Sequence, residues 1–198
     1  MFSNAYAQQI IGFDFVESTG QEETVDAKIN DANLQKSVLT KGKGIKKTGK
    51  VLRTFGGVFS EKASKQQALA SNEYLEFKVQ AKDGFQVSLT SLKAKIRRNG
   101  SGPNSYVWMY SLDGSDFKEI AGTETTLAGD EPSGTAQPNI KLATIKELQA
   151  VPSSKAITFR IYAWGASSAM GSFTFGKSPS THEEGKTTLF VVGKVEAK

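Results

Sequence analysis

The chain has 198 residues, 38% hydrophobic and 23% charged, with 12 Phe, 5 Tyr and 2 Trp, which fills a core and excludes a mainly disordered polypeptide. It carries no cysteine and one histidine, removing disulfide scaffolds, thiol catalysis, cysteine zinc sites and any mechanism that needs two imidazoles. A net charge of +5 permits acidic partners without requiring them.

At the N-terminus, Ala5-Tyr6-Ala7 ahead of Gln8-Gln9 has the small-residue spacing of a signal-peptidase site. Residues 1–7 therefore read as the remnant of a signal peptide and residues 8–198 as a single β-sandwich domain. The basic and apolar parts of a full signal do not precede Ala5, so a chance Ala-Tyr-Ala is the alternative. No apolar run of about 18 residues follows, and no transmembrane segment is expected.

Alternation of period two dominates the chain and marks half-buried strands. Strands are expected at 9–16 and 51–59, and the Ala-, Lys- and Gln-rich stretch 61–70 reads as a short helix or a polar loop. Residues 73–80 place Leu75, Phe77 and Val79 on one face, with Tyr74, Glu76, Lys78 and Gln80 on the other. Asp83-Gly84 turns the chain into a long strand, 85–98. In it Phe85, Val87 and Leu89 share one parity while Leu92, Ala94 and Ile96 share the other, which predicts a β-bulge near Thr90-Ser91. Asn99 to Asn104 is turn composition, followed by strands at 105–112 and 117–120 across Asp113-Gly114. Further strands are expected at 139–143, 156–164, 170–175 and 187–196, with one or two helical turns at 143–150 ending before Pro152. The segments 122–138 and 176–186 have the composition of exposed loops. About ten strands and almost no helix make the fold class all-β: a single antiparallel β-sandwich, jelly-roll-like, with at most one or two short helical turns.

Several short motifs occur in a recognisable order. They are Ile11-Gly12-Phe13-Asp14-Phe15, Ala32-Asn33-Leu34 with Leu39-Thr40-Lys41-Gly42-Lys43-Gly44-Ile45, and Arg97-Arg98-Asn99-Gly100-Ser101-Gly102-Pro103. Tyr110-Ser111-Leu112-Asp113-Gly114 and Thr158 to Ser168, with Gly171-Ser172-Phe173, complete the set. Together they resemble a β-sandwich module of secreted and surface proteins of Bacteroidetes and some other bacteria. The resemblance implies a jelly-roll-like sandwich in an exported, extracellular or cell-surface protein. It implies no activity, since that module usually stands as an accessory domain of unassigned function.

Strand parity supplies the candidate site. With Val107 and Met109 inward, Tyr106, Trp108 and Tyr110 face outward; with Ile157, Phe159 and Ile161 inward, so do Arg160, Tyr162 and Trp164. Lys93, Lys95 and Arg97 are outward on the long strand. In one sheet, Arg97, Tyr106, Trp108, Tyr110, Arg160, Tyr162 and Trp164 would form an aromatic and basic face suited to stacking on sugar rings. Inverted parity would bury the aromatics instead, as in most sandwich cores.

A second candidate is charge. Lys41, Lys43, Lys46, Lys47 and Lys50 lie in a basic run without acidic residues, downstream of an acidic stretch holding Glu17, Glu22, Glu23, Asp26 and Asp31. The run is either a contact surface for an acidic polymer or a solvated segment paired with that stretch. Asp113 suits a turn, and a structural calcium drawing on Asp113, Asp116 or Asp14 is the one metal role open, without EF-hand spacing. His182 reads as an exposed loop residue, and Glu73 and Glu76 fall on opposite strand faces, which removes the obvious carboxylate pair.

The expectation is therefore a non-catalytic binding module for extracellular or cell-surface glycan, the polysaccharide acidic or neutral, with no cofactor and no nucleic-acid motif. The alternative is a structural protein of a surface layer, sheath or fibre that assembles from copies of itself. A polysaccharide-active enzyme ranks third.

Overall fold

The computed structural model describes residues 7–129, 132–183 and 186–198, so Ala5 and Tyr6 of the expected cleavage pattern lie outside the described residues. In chain order the strands are β1 (Gln8–Phe13), β2 (Thr24–Asp26), β3 (Ile29–Asn30), β4 (Val38–Lys41), β5 (Phe55–Val58), β6 (Tyr74–Val79), β7 (Phe85–Arg98) and β8 (Ser105–Ser111). They continue as β9 (Lys118–Glu119), β10 (Thr125–Thr126), β11 (Thr135–Ala136), β12 (Ile140–Lys141), β13 (Val151–Pro152), β14 (Ile157–Trp164), β15 (Ser172–Phe175) and β16 (Leu189–Ala197). One helix, α1 (Lys65–Ala70), and a 3₁₀ turn at Lys146–Leu148 complete the described elements.

The strands pair antiparallel into a nine-stranded major sheet and a seven-stranded minor sheet, the all-β sandwich expected from the alternation. The minor sheet runs β8-β14-β6-β4-β2, with β9 and β10 sharing the outer edge of β8. β7 organises the major sheet. One of its edges pairs with β16 along Phe85 to Ala94 and then with β15 from Ile96 to Arg98. The exchange occurs at Lys95, whose N–H donates to Thr188 and whose carbonyl accepts from Gly176. The opposite edge carries the short strands β13, β12 and β11.

The bulge falls where the parity switch places it: Val192 faces Ser91 and Gly193 faces Leu89, leaving Thr90 unopposed. That extra residue keeps Val87 and Leu89, and then Leu92 and Ile96, on the buried face. The helix is settled by a capping box, in which Ser64 Oγ accepts the Gln67 N–H and the Gln67 side chain accepts the Ser64 N–H.

Between the sheets lies an aromatic core. Phe77 stacks on Phe159 and meets Phe13 edge-on, Phe15 stacks on Phe55 and Phe175, and Phe59 meets Phe173. The recurrent glycine-bearing motifs turn out to be packing devices. A Cβ on Gly42 would collide with the Asn72 carbonyl oxygen and one on Gly44 with that of Ser71, so β4 leaves the sheet flush against the turn into β6. Arg98 is buried and donates to the carbonyls of Gly100, Gly102 and Gly129, which closes the Asn99–Asn104 turn.

Candidate functional site

The minor sheet divides the predicted aromatic face. Phe159 lies opposite both Phe77 and Tyr110, and Ile161 opposite both Leu75 and Trp108, so Tyr106, Trp108 and Tyr110 share the inward face. This corrects the outward parity expected for β8. Either parity of Ser-Tyr-Val-Trp-Met-Tyr-Ser presents apolar groups, and the larger aromatics win the core because each removes more apolar surface from water. Trp108 stacks against Phe175 at 6.2 Å and Tyr106 packs on Phe173 at 6.1 Å, both across the sandwich. Arg97 is separated in a second way: it sits on β7 in the major sheet, donating to the Pro132 carbonyl.

Arg160, Tyr162 and Trp164 do share the outer face of the minor sheet. There, strand register brings in side chains that single-strand parity could not assemble. Arg160 lies opposite Glu76, and Tyr162 opposite Tyr74. The Arg160 guanidinium is held between two rings, 3.9 Å from the centroid of Tyr74 and 3.9 Å from that of Phe117. Its Nε donates to Glu76 at 2.7 Å, and one terminal nitrogen donates to the Tyr162 hydroxyl at 3.2 Å. Both charged side chains are largely covered, at 17% and 16% exposure. Burial pulls the guanidinium pKa down, but the contacts with Glu76 and Tyr162 outweigh it, and the net direction is up. Arg160 therefore remains a fixed cation. Among the described residues its second terminal nitrogen has no partner, so a planar set of donors is offered at the surface.

Helix α1 borders this face, packing against β14. Lys65 reaches Glu119 at 2.9 Å and Glu124 at 2.6 Å, and its ammonium stands 5.8 Å from the Trp164 ring centroid. The outer face thus offers half-buried rings at Tyr74, Phe117 and Trp164 among polar groups, while Tyr162 is buried. Phe117 and Lys65 escaped the sequence reading because Phe117, expected to begin a strand, arrives from the loop before β9, and Lys65 arrives from a helix.

The basic run also splits. Lys43, Lys46, Lys47 and Lys50 are exposed, and the charged segments pair within the chain through Lys47–Glu23 at 2.9 Å and Lys36–Asp26 at 2.6 Å. Lys41 departs from the expected contact surface. Paired with the inward Leu75, it points into the sandwich, its ammonium 4.8 Å from the Phe55 ring centroid and without a hydrogen-bond partner among the described residues. Burial lowers its pKa.

Asp113 fulfils its turn role: its Oδ1 accepts the N–H groups of Ser115 and Asp116 and the hydroxyls of Ser111 and Ser115, which hold its carboxyl well below the usual carboxylate range. Asp14 lies 3.0 Å from His182, whose other nitrogen is 3.7 Å from Glu17. Among the described residues no group of three or more acidic or histidine side chains is placed to hold a metal ion. Glu73 is buried and accepts the Ser60 N–H, apart from Glu76. No described helix is long and apolar enough to cross a membrane.

Comparison with protein-family models and with curated proteins finds no match. Among solved structures, TmCBM61 in complex with β-1,4-galactotriose is similar with a TM-score of 0.36 at 8% identity, over 96% of this chain and 99% of that one.

Proposed function

We propose that this chain is a non-catalytic, exported glycan-binding module that uses the outer face of its minor sheet. The observation that carries the reading is the Arg160 arrangement: a guanidinium fixed between Tyr74 and Phe117, ion-paired to Glu76, with donors left over at the surface. Sugar recognition needs apolar rings to cover C–H faces and pre-oriented donors and acceptors for hydroxyls. Both occur here, and the donors are held before any ligand arrives, which reduces the ordering cost of binding. Tyr162 contributes by orienting Arg160 rather than by stacking, while Trp164 and Phe117 supply ring surface.

A glycan array followed by tryptophan-fluorescence titration tests this. Trp164, half-buried beside Lys65, is the expected reporter. Phe117→Ala and Trp164→Ala should each weaken binding about tenfold, corresponding to about 1.4 kcal/mol, as expected of a stacking ring. Absence of any glycan ligand, or unchanged affinity in both variants, would refute the assignment.

A further inference from the structure

The opposite face of the molecule carries a second built feature. At Lys95 the edge of β7 passes from β16 to β15, and the described ends of the connection between those two strands, residues 176–183 and 186–188, leave and return at this point. The departing arm brings Lys177 and the returning arm Lys186, while β7 presents Lys93 and Lys95. Four lysines from three segments thereby border one groove of about 330 Å³, near the lower end of the roughly 300–1,000 Å³ typical of ligand pockets.

Two details distinguish the groove from a merely solvated patch. The stem of Lys95 is wedged between glycines: a Cβ on Gly176 would stand 2.9 Å from its Cγ, and one on Gly134 3.3 Å. The side chain therefore has little rotamer freedom left to lose on binding. Phe190, opposite Lys93 on the outer face of the sheet, lies with Pro179 along the groove as an apolar strip. Among the described residues Lys186 pairs with Glu183, and Lys93, Lys95 and Lys177 make no ion pair.

We infer that this groove is a binding site for an anionic glycan, with lysines for carboxylate or sulfate groups and the Phe190–Pro179 strip for the C–H face of the ring. It is separate from the Arg160 face and does not depend on it. Point-charge ammoniums serve either anion. Nucleic acid fits less well, because single strands stack successive bases on several aromatic rings and the groove offers one.

The experiment is affinity electrophoresis and calorimetry of the full chain with polygalacturonate, dextran sulfate, neutral β-1,4-galactan and poly(dT) at low and high salt. Binding of polygalacturonate or dextran sulfate is expected to weaken steeply with salt and to fall about tenfold in Lys93→Gln/Lys177→Gln. The control Lys146→Gln/Lys155→Gln, which removes two exposed charges outside both candidate surfaces, should change it less than about twofold. Equal losses in both double variants, absence of anionic-glycan binding, or preference for poly(dT) would overturn the inference. Neutral-galactan binding and its response to Trp164→Ala report separately on the Arg160 face, so the two readings fail independently.

Discussion

The Glu76–Arg160 pair lends itself to a double-mutant cycle, because its environment sets both the size and the sign of the answer. Two unit charges about 4 Å apart attract by about 4 kcal/mol at an effective dielectric constant of about 20. With side chains 17% and 16% exposed, desolvation cancels more than half of that, leaving a coupling near 1–2 kcal/mol. Arg160→Met loses this coupling and two ring contacts of about 0.5–1 kcal/mol each, and it strands Glu76 without its cation. The expected total is about 3 kcal/mol, or a fall in Tm of about 6–12 °C for a chain of this length. Glu76→Gln should cost about 1–2 kcal/mol, and the double variant less than the sum of the two. Equilibrium urea unfolding of the four proteins measures the cycle. A coupling within about 0.3 kcal/mol of zero would show the pair to be screened by solvent and Arg160 to be mobile, and the pre-oriented donor set would go with it.

Four other expectations are independent of ligand. Lys41→Met should be neutral or stabilising by about 1 kcal/mol at neutral pH, since it removes a partly buried ammonium lacking a hydrogen-bond partner among the described residues. Because the folded pKa of Lys41 lies below its ordinary 10.5, the unfolded chain binds the proton more readily, so the advantage of Met should shrink as pH rises through that window in urea titrations. Trp108→Phe should cost only about 1–2 kcal/mol, against about 3–5 for truncation to Ala, because it also deletes an indole N–H that has no partner among the described residues; a loss as large as truncation would contradict this. Gly42→Ala should destabilise by about 1–3 kcal/mol through its collision with the Asn72 carbonyl, whereas Gly49→Ala, with nothing within 4 Å, should stay within about 0.5, both read by denaturant midpoint. The depressed Asp113 carboxyl contributes stability that is complete above its ordinary value of 3.8 and is lost as pH falls toward the folded value, so Asp113→Asn should flatten the acid limb of the stability curve.

Local chemistry carried much of the architecture. Alternation located β6, β7, β8 and β14 to within a residue or two, and the parity switch in β7 located its bulge, because a strand with one buried face must repair its own register. Turn residues at Asp113-Gly114 bounded the β8–β9 hairpin, whereas those at Asp83-Gly84 carry the chain from β6 in the minor sheet to β7 in the major sheet. The strands β2, β3 and β4 were not legible: they are two to four residues long, too short to establish a period.

The site was legible only in part, and the division has a physical cause. On β14 one parity is aliphatic and aromatic while the other holds Arg160, so sequence alone placed Arg160, Tyr162 and Trp164 outward. On β8 both parities are apolar, and only the space opposite Phe173 and Phe175 decided that Tyr106, Trp108 and Tyr110 turn in. Lys41 turns inward because it shares register with Leu75, a relation between strands that lie far apart in the chain. Composition, strand positions and the bulge follow from neighbours along the backbone. The Glu76–Arg160 pair, its two flanking rings and the gathering of four lysines around the Lys95 crossover follow from pairing between distant segments, which only the folded sheet order determines.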